Sequence, residues 1–459
     1  MKRIVSTLVF ALFVLTLATP VSAQQPDRVR ELEKKVQELQ QRLDQLSTSA
    51  DEETRRQIEE LRQQIDVLTR EIENLKSAAP ERPAPSGARG SHGLGPAASK
   101  VYGLTRGVSI GGYGEVLYQN FSDDRDDGEA SDRTDTIDLQ RAVFYFGYKF
   151  DEHFLFNSEI EYEHATTGEG DEEKGEVSVE FAYLDYLIRP EVNVRAGLVL
   201  IPVGFLNELH EPPVFLGARR PDVEDRIIPT TWRELGAGVF GDAGPITYRA
   251  YVVNGLDSAG IEAEEPLHEA RQGGSQASAE DFAVTGRLDF TGVPGLLIGA
   301  SGYTGGSAQG RKADGREFDG RVTLVDAHAE WRWRGIQARA LGAWGTIGDA
   351  AEINLANGLS GDESVPKRFT GAYLEAGFDV LFGRSSASLV PFARWEQYDT
   401  QDEVPSGFAR NPANDVRLWT FGVQYRPIPQ VVVKLDYQDA HDEARTGVDQ
   451  WNLALGWLF

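Results

Sequence analysis

The chain has 459 residues, and 72 Asp and Glu against 46 Lys and Arg leave a formal charge of −26. Cysteine is absent, which excludes disulfide frameworks, cysteine-based zinc or iron–sulfur centres and thiol nucleophiles. The acidity argues against nucleic acid as a partner, and a mean hydropathy of −0.37 excludes a multi-helix membrane protein but not a barrel, whose strands are only half apolar.

Residues 1–23 read as a secretory signal. Lys2 and Arg3 precede an apolar run from Ile4 to Ala18, Pro20 breaks it, and Val21-Ser22-Ala23 offers small residues for cleavage after Ala23. Residues 24–79 follow with apolar side chains at Val29, Leu32, Val36, Leu39, Leu43 and Leu46, and again at Ile58, Leu61, Ile65, Leu68, Ile72 and Leu75. Alternating steps of three and four make a heptad repeat, so an α-helical coiled coil is expected here. Residues 80–106 carry Pro80, Pro83, Pro85, Gly87, Gly90, Gly93, Gly95 and Pro96, the composition of a flexible tether.

From residue 107 to 459 the period changes to two, and sixteen alternating segments follow. Short turns such as Pro190, Gly292-Val293-Pro294 and Gly335 alternate with long acidic connections such as Ser122 to Arg133 and Asn207 to Thr230. That asymmetry predicts an all-β fold, a sixteen-stranded antiparallel transmembrane β-barrel preceded by the coiled coil. Strand faces agree: Phe154, Phe156, Ile160 and Tyr162 share one face and Asn157, Glu159, Glu161 and Glu163 the other. Carboxylates and arginines on the inner face of so wide a barrel imply water there.

Strands running toward the short turns end in Phe150, Phe240, Phe290, Trp333, Phe382, Tyr425 and Phe459, with Trp457 beside the last. Such a ring suits a membrane interface, and the terminal Phe459 is similar to the signal that barrel assembly machinery reads in outer-membrane proteins. By alternation Arg141, Arg195, Arg249, Arg287, Arg332, Arg339 and Arg394 face the lumen, as do Glu115, Glu159, Glu161, Glu163, Glu180, Asp326, Glu330, Glu375 and Glu396. Asp326, His328 and Glu330 also share a face, but a strand spreads them about 13 Å end to end, too far for one metal ion. The loop from Asp123 to Gly128 places Arg125 where a calcium loop needs a ligand. Neither a metal nor a cofactor is expected, and without a hydrolase, P-loop or dinucleotide motif the chain does not read as an enzyme.

The stretch Asp138-Leu139-Gln140-Arg141-Ala142-Val143-Phe144-Tyr145-Phe146-Gly147 resembles the start of a phosphate-selective porin O and P family barrel. Arg195-Ala196-Gly197-Leu198, running through Ile201-Pro202-Val203-Gly204-Phe205 into Glu211-Pro212-Pro213, does so too. The resemblance implies homotrimers of sixteen-stranded barrels, each narrowed by an inward third loop. That loop would bring Arg219, Arg220, Arg226, Asp222 and Glu224 to the constriction. The lysine-rich pore that the family resemblance would also imply is missing, since only Lys100, Lys149, Lys174, Lys312, Lys367 and Lys434 occur from residue 100 onward.

The expected function is that of an outer-membrane porin passing small hydrophilic solutes, phosphate-like or carboxylate anions among them, with outer-membrane lipids as partners and the coiled coil in the periplasm. The rival is a structural envelope protein whose barrel anchors a coiled coil that ties the outer membrane to the cell wall.

Overall fold

The computed structural model describes residues 90–166 and 174–459, together with Lys34, Lys35 and Glu38. The expected signal segment, the heptads apart from those three residues, tether residues 80–89 and most of the connection from Thr166 to Gly175 lie outside the described residues.

From Gly107 the two-residue period becomes strands: β1 Gly107–Phe121, β2 Thr136–Lys149, β3 Phe154–Glu163, β4 Val177–Arg189, β5 Val192–Leu200, β6 Arg233–Ala243, β7 Ile246–Asn254, β8 Phe282–Val293 and β9 Leu296–Gly305. A two-residue-per-strand hairpin, β10 Lys312–Ala313 and β11 Arg316–Glu317, sits in the next connection. Then come β12 Val322–Trp333, β13 Ile336–Ile347, β14 Arg368–Phe378, β15 Ser388–Glu403, β16 Asp415–Ile428, β17 Val431–Asp442 and β18 Gln450–Leu458. All but β10 and β11 join neighbour to neighbour into a closed antiparallel barrel, sealed where β1 pairs with β18 from Tyr113↔Leu458 to Phe121↔Gln450. Closure leaves no unpaired strand edge.

The pleat sorts the side chains. On β3, Asn157, Glu159 and Glu161 are buried inside, whereas Phe154 and Tyr162 are 46% and 44% exposed outside. On β12, Val325, Trp331 and Trp333 are exposed while Asp326, His328 and Glu330 are buried. A barrel with large apolar side chains outside and ionisable ones inside inverts the soluble pattern and matches a lipid surround. The β12–β13 turn shows why the short connections stay short. Arg334 and Gly335 both take positive φ, +47° and +88°, the backbone of a two-residue hairpin whose twist follows the strands.

Three features depart from the sequence reading. Phe240, expected in the outer aromatic ring, is buried and points inward, because Val239 takes the outer position on β6. The connection expected from Asn207 starts earlier, since β5 ends at Leu200 and the chain leaves the wall at Ile201. The connection from Gly348 to Lys367 contains a helix, α1 (Ala350–Asn357), held where Ile353 is buried and the Asn354 amide donates to the Ser364 hydroxyl at 2.7 Å.

Candidate functional site

Among the described residues, two segments packed against the inner wall bear on the site. The first is the connection between β5 and β6, residues 201–232, nearly all of it buried. Asn207 closes its neck: the side-chain amide donates to the carbonyls of Ile201 at 2.6 Å and Trp232 at 2.9 Å, and its oxygen accepts the Trp232 N–H at 2.6 Å. Chain entering and leaving the wall is thereby pinned together, so the loop must travel inward.

Inside, the loop satisfies its backbone on the inner wall instead of in a ladder. The Gly204 N–H donates to Asp326 of β12 at 3.1 Å, and Arg339 of β13 donates to the Val214 carbonyl at 3.2 Å. Gln424 of β16 donates to the Phe215 carbonyl at 2.7 Å, the Ala218 N–H reaches Asp436 of β17, and the Val223 N–H reaches Glu396 of β15 at 3.2 Å. His210 meets Glu159 of β3 across the lumen at 2.9 Å. Burial opposes a charged His210, but that carboxylate outweighs it and raises the histidine pKa.

The second insert was not foreseen. Residues 90–106, read as the end of a tether, lie against the inner faces of β1 to β7 near the short turns. Leu94, Ala97, Ala98 and Val101 are buried. The Tyr102 hydroxyl donates to Asp185 at 2.6 Å and accepts from Arg195 at 2.8 Å, and Asn157 donates to the Ala98 carbonyl at 2.9 Å. Gly93 and Gly95 serve close approach here: a Cβ on the first would run into Arg249, and one on the second into the Glu211 carboxylate. The two inserts meet at Glu211, whose Oε1 accepts the N–H groups of Ala97 at 2.9 Å and Ala98 at 3.1 Å. Burial pushes the Glu211 carboxyl up to about 7, against the pull of those two amides.

Of the arginines expected along the lumen, Arg141 pairs with Glu161 at 3.5 Å and Glu115 at 3.8 Å. Arg195 pairs with Asp185 at 2.8 Å, Arg249 with Glu208 at 2.9 Å and Arg287 with Asp289 at 2.8 Å. Arg332 and Arg339 share Glu330 at 3.0 and 2.8 Å, and Arg394 joins Glu396 at 2.7 Å. On the loop, Arg219 pairs with Asp222 at 3.8 Å and Arg226 with Glu265. Arg220 differs from these, because no ion pair forms on it among the described residues and its Nη2 is buried without a hydrogen-bond partner. Lys434 also lacks a partner for its ammonium, which sits 3.5 Å from the centre of the Phe215 ring.

Glu224 does not stand free in the lumen. It accepts the Phe205 and Leu206 N–H groups, each at 2.6 Å, and the Tyr373 hydroxyl at 2.6 Å, bracing the loop. Asp326, His328 and Glu330 part company as well: the first two bond to each other, His328 reaches Asp289 at 2.8 Å, and Glu330 goes to the arginines. In the outer loop Arg125 pairs with Asp127 at 2.6 Å. Exposed Trp333, Phe290, Phe382 and Phe459, with half-buried Tyr425 and Trp457, stand toward the short-turn rim. Sequence reasoning missed Tyr102, Asp185, Glu208, Glu211 and Asp289. Alternation could have flagged Asp289, which has the parity of Arg287, but not Asp185, whose parity is opposite to that of Glu180 and which turns inward because the register shifts beside Glu180.

The chain is 43% identical over 375 residues to a protein of Aquifex aeolicus (strain VF5), described only as uncharacterized, covering 80% of this chain and 83% of that relative. The two belong to one family. No family model matches the chain. Among solved structures, Salmonella typhi OmpF in complex with daunomycin is similar in fold, with a TM-score of 0.52 at 12% identity over 77% of this chain and 98% of that one. An anion-selective porin from Comamonas acidovorans overlaps with a TM-score of 0.47 at 9% identity, over 77% of this chain and all of that one. The barrel of this chain is thus similar in fold to a porin of known structure.

Proposed function

We propose that the protein is an outer-membrane porin through which small hydrophilic solutes diffuse, phosphate-like or carboxylate anions among them. One observation carries this reading: the barrel is closed, its outside is apolar with aromatic side chains at the short-turn rim, and its inside is lined by ionisable side chains. A wall of that kind is stable only with lipid outside and water or polar protein within. The even strand number puts both barrel ends on the short-turn side, which is the periplasmic side in this reading, with the coiled coil below. Homotrimers, assembly by the barrel machinery through Phe459 and kinship with the phosphate-selective O and P porins belong to the same proposal. The inward loop is its constriction. Purified protein in liposomes should admit small sugars and anions and retain larger ones; vesicles that stay tight would refute it.

The anchor reading is favoured by a different observation, that residues 90–106 are bonded to the inner wall through Tyr102 and Ala98 and to the inward loop through Glu211. Deleting residues 24–79 separates the two. A porin keeps its permeability, whereas an anchor loses envelope integrity.

A further inference from the structure

Residues 90–106 are neither wall nor free tether. The wall is complete without them, since β1 starts at Gly107 and pairs with both β2 and β18. Among the described residues, every backbone–backbone hydrogen bond of the segment stays within it, as in Gly90 N–H to the Leu94 carbonyl at 2.8 Å and Ser99 N–H to Gly95 at 3.0 Å. It is a self-contained set of turns held to the barrel by side chains.

The wall groups beneath it keep partners of their own. Arg195 has Asp185, Arg249 has Glu208, and Asn157 has the Tyr183 hydroxyl at 3.2 Å. Lifting the segment would thus uncover ion pairs that water can solvate rather than orphaned charges. Its own polar holdfasts are Tyr102 on Asp185, Arg195 and the Tyr183 hydroxyl, the His92 carbonyl on Arg249 at 3.4 Å with the His92 ring beside Asp242 at 3.8 Å, Ala98 on Asn157, and the two amides on Glu211. The last of these ties the segment to the inward loop, so whatever moves one bears on the other.

We propose that residues 90–106 form a displaceable plug at the short-turn mouth. Seated, the plug covers the β1 to β7 sector and leaves a small-conductance state; pulled from the upstream chain, it unseats and a larger state opens. The plug rests on the channel reading above, and the experiment keeps the two apart.

The absence of cysteine in the chain makes a lock simple to build. A Cβ on Gly147 of β2 would come within 2.7 Å of the Val101 Cβ, so with an outward shift of about 1 Å to disulfide spacing the full-length double variant Val101→Cys/Gly147→Cys cross-links the plug to the wall. Single-channel currents are recorded in planar bilayers under voltage, oxidised and then reduced, beside Tyr102→Ala in the otherwise native chain. Folding of each is checked by heat-modifiable mobility. The plug predicts only small steps when oxidised, and transitions to a several-fold larger conductance when reduced and in Tyr102→Ala. Identical nonzero steps in all three overturn the plug and leave the channel. No steps in any of them, from folded protein, overturn the channel reading and the plug with it.

Discussion

Arg195 grips Asp185 with two prongs, Nε to Oδ1 at 2.8 Å and Nη2 to Oδ2 at 3.0 Å, and both side chains are shut off from solvent. The Tyr183 ring lies 3.8 Å from the guanidinium carbon and the Phe240 ring 4.7 Å, which completes a dry cage around the cation. Removing one partner of such a pair strands the other charge. Asp185→Ala is expected to cost about 3–5 kcal/mol, whereas Tyr102→Phe, which deletes one hydroxyl from the same cluster, should cost about 1 kcal/mol. Urea unfolding in lipid vesicles measures both, and equal losses would show that the pair does not dominate the cluster.

Glu211 makes stability depend on pH. Its carboxyl is pushed up to about 7 by burial from an ordinary 4.5, while the Ala98 and Ala97 amides and His210 pull it down and Glu159 pushes it up. The folded protein therefore holds this proton more tightly than the unfolded chain. The resulting stability is fully present below pH 4.5 and drains away as pH rises through about 7. Glu211→Gln keeps an acceptor for the two amides and removes the charge. Relative to the native chain it should gain up to about 3 kcal/mol between about pH 5 and about pH 8. Melting temperatures of the two proteins across that range give the answer; a gap that does not widen with pH would refute the assignment.

Arg220 bears on ion preference. Neighbouring arginines are neutralised by carboxylates within the wall or loop, but Arg220 has no ion pair among the described residues. An unpaired guanidinium on the inward loop biases a narrow passage toward anions. Arg220→Ser should lower the anion-to-cation permeability ratio several-fold, whereas Arg219→Ser, whose native charge is met by Asp222, should change it little. Reversal potentials under a KCl gradient distinguish these outcomes.

Phe459 closes the seam. Its N–H donates to the Gly112 carbonyl at 2.9 Å, its carbonyl accepts the Gly112 N–H at 3.1 Å, and its ring meets Phe144 edge-on at 6.3 Å. Deleting Phe459 removes both bonds where the first and last strands meet, a loss of about 1–3 kcal/mol, and slower assembly is expected. Heat-modifiable mobility followed over time after refolding reports this; unchanged kinetics would leave Phe459 a rim residue only.

The wall was legible because its physics is local. Alternation at Phe154 to Glu163 needs only a period of two and a choice of which face meets lipid, and the short turns announce themselves through Gly and Pro. Phe240 shows the limit: its aromatic type suited the rim, but its parity with the inward Asp242 rather than the outward Val239 decided its place. The lumen was harder to read. Alternation put Arg195 and Arg249 inside, yet their partners Asp185 and Glu208 come from another strand and from the loop. Asp185 lies directly across the β4–β5 ladder from Arg195, but the sequence carries no period for a loop-to-wall contact such as Glu208 to Arg249. Residues 90–106 were misjudged for a related reason. Gly93 and Gly95 have tether composition, but the structure uses their missing side chains to let Arg249 and Glu211 come close.

The most direct test of the channel reading is the single-channel current of the purified, folded, native protein in a planar bilayer. The account predicts discrete small steps, grouped in threes if the protein is a trimer, with occasional excursions to a larger state. Folded protein that inserts and carries no current would contradict it.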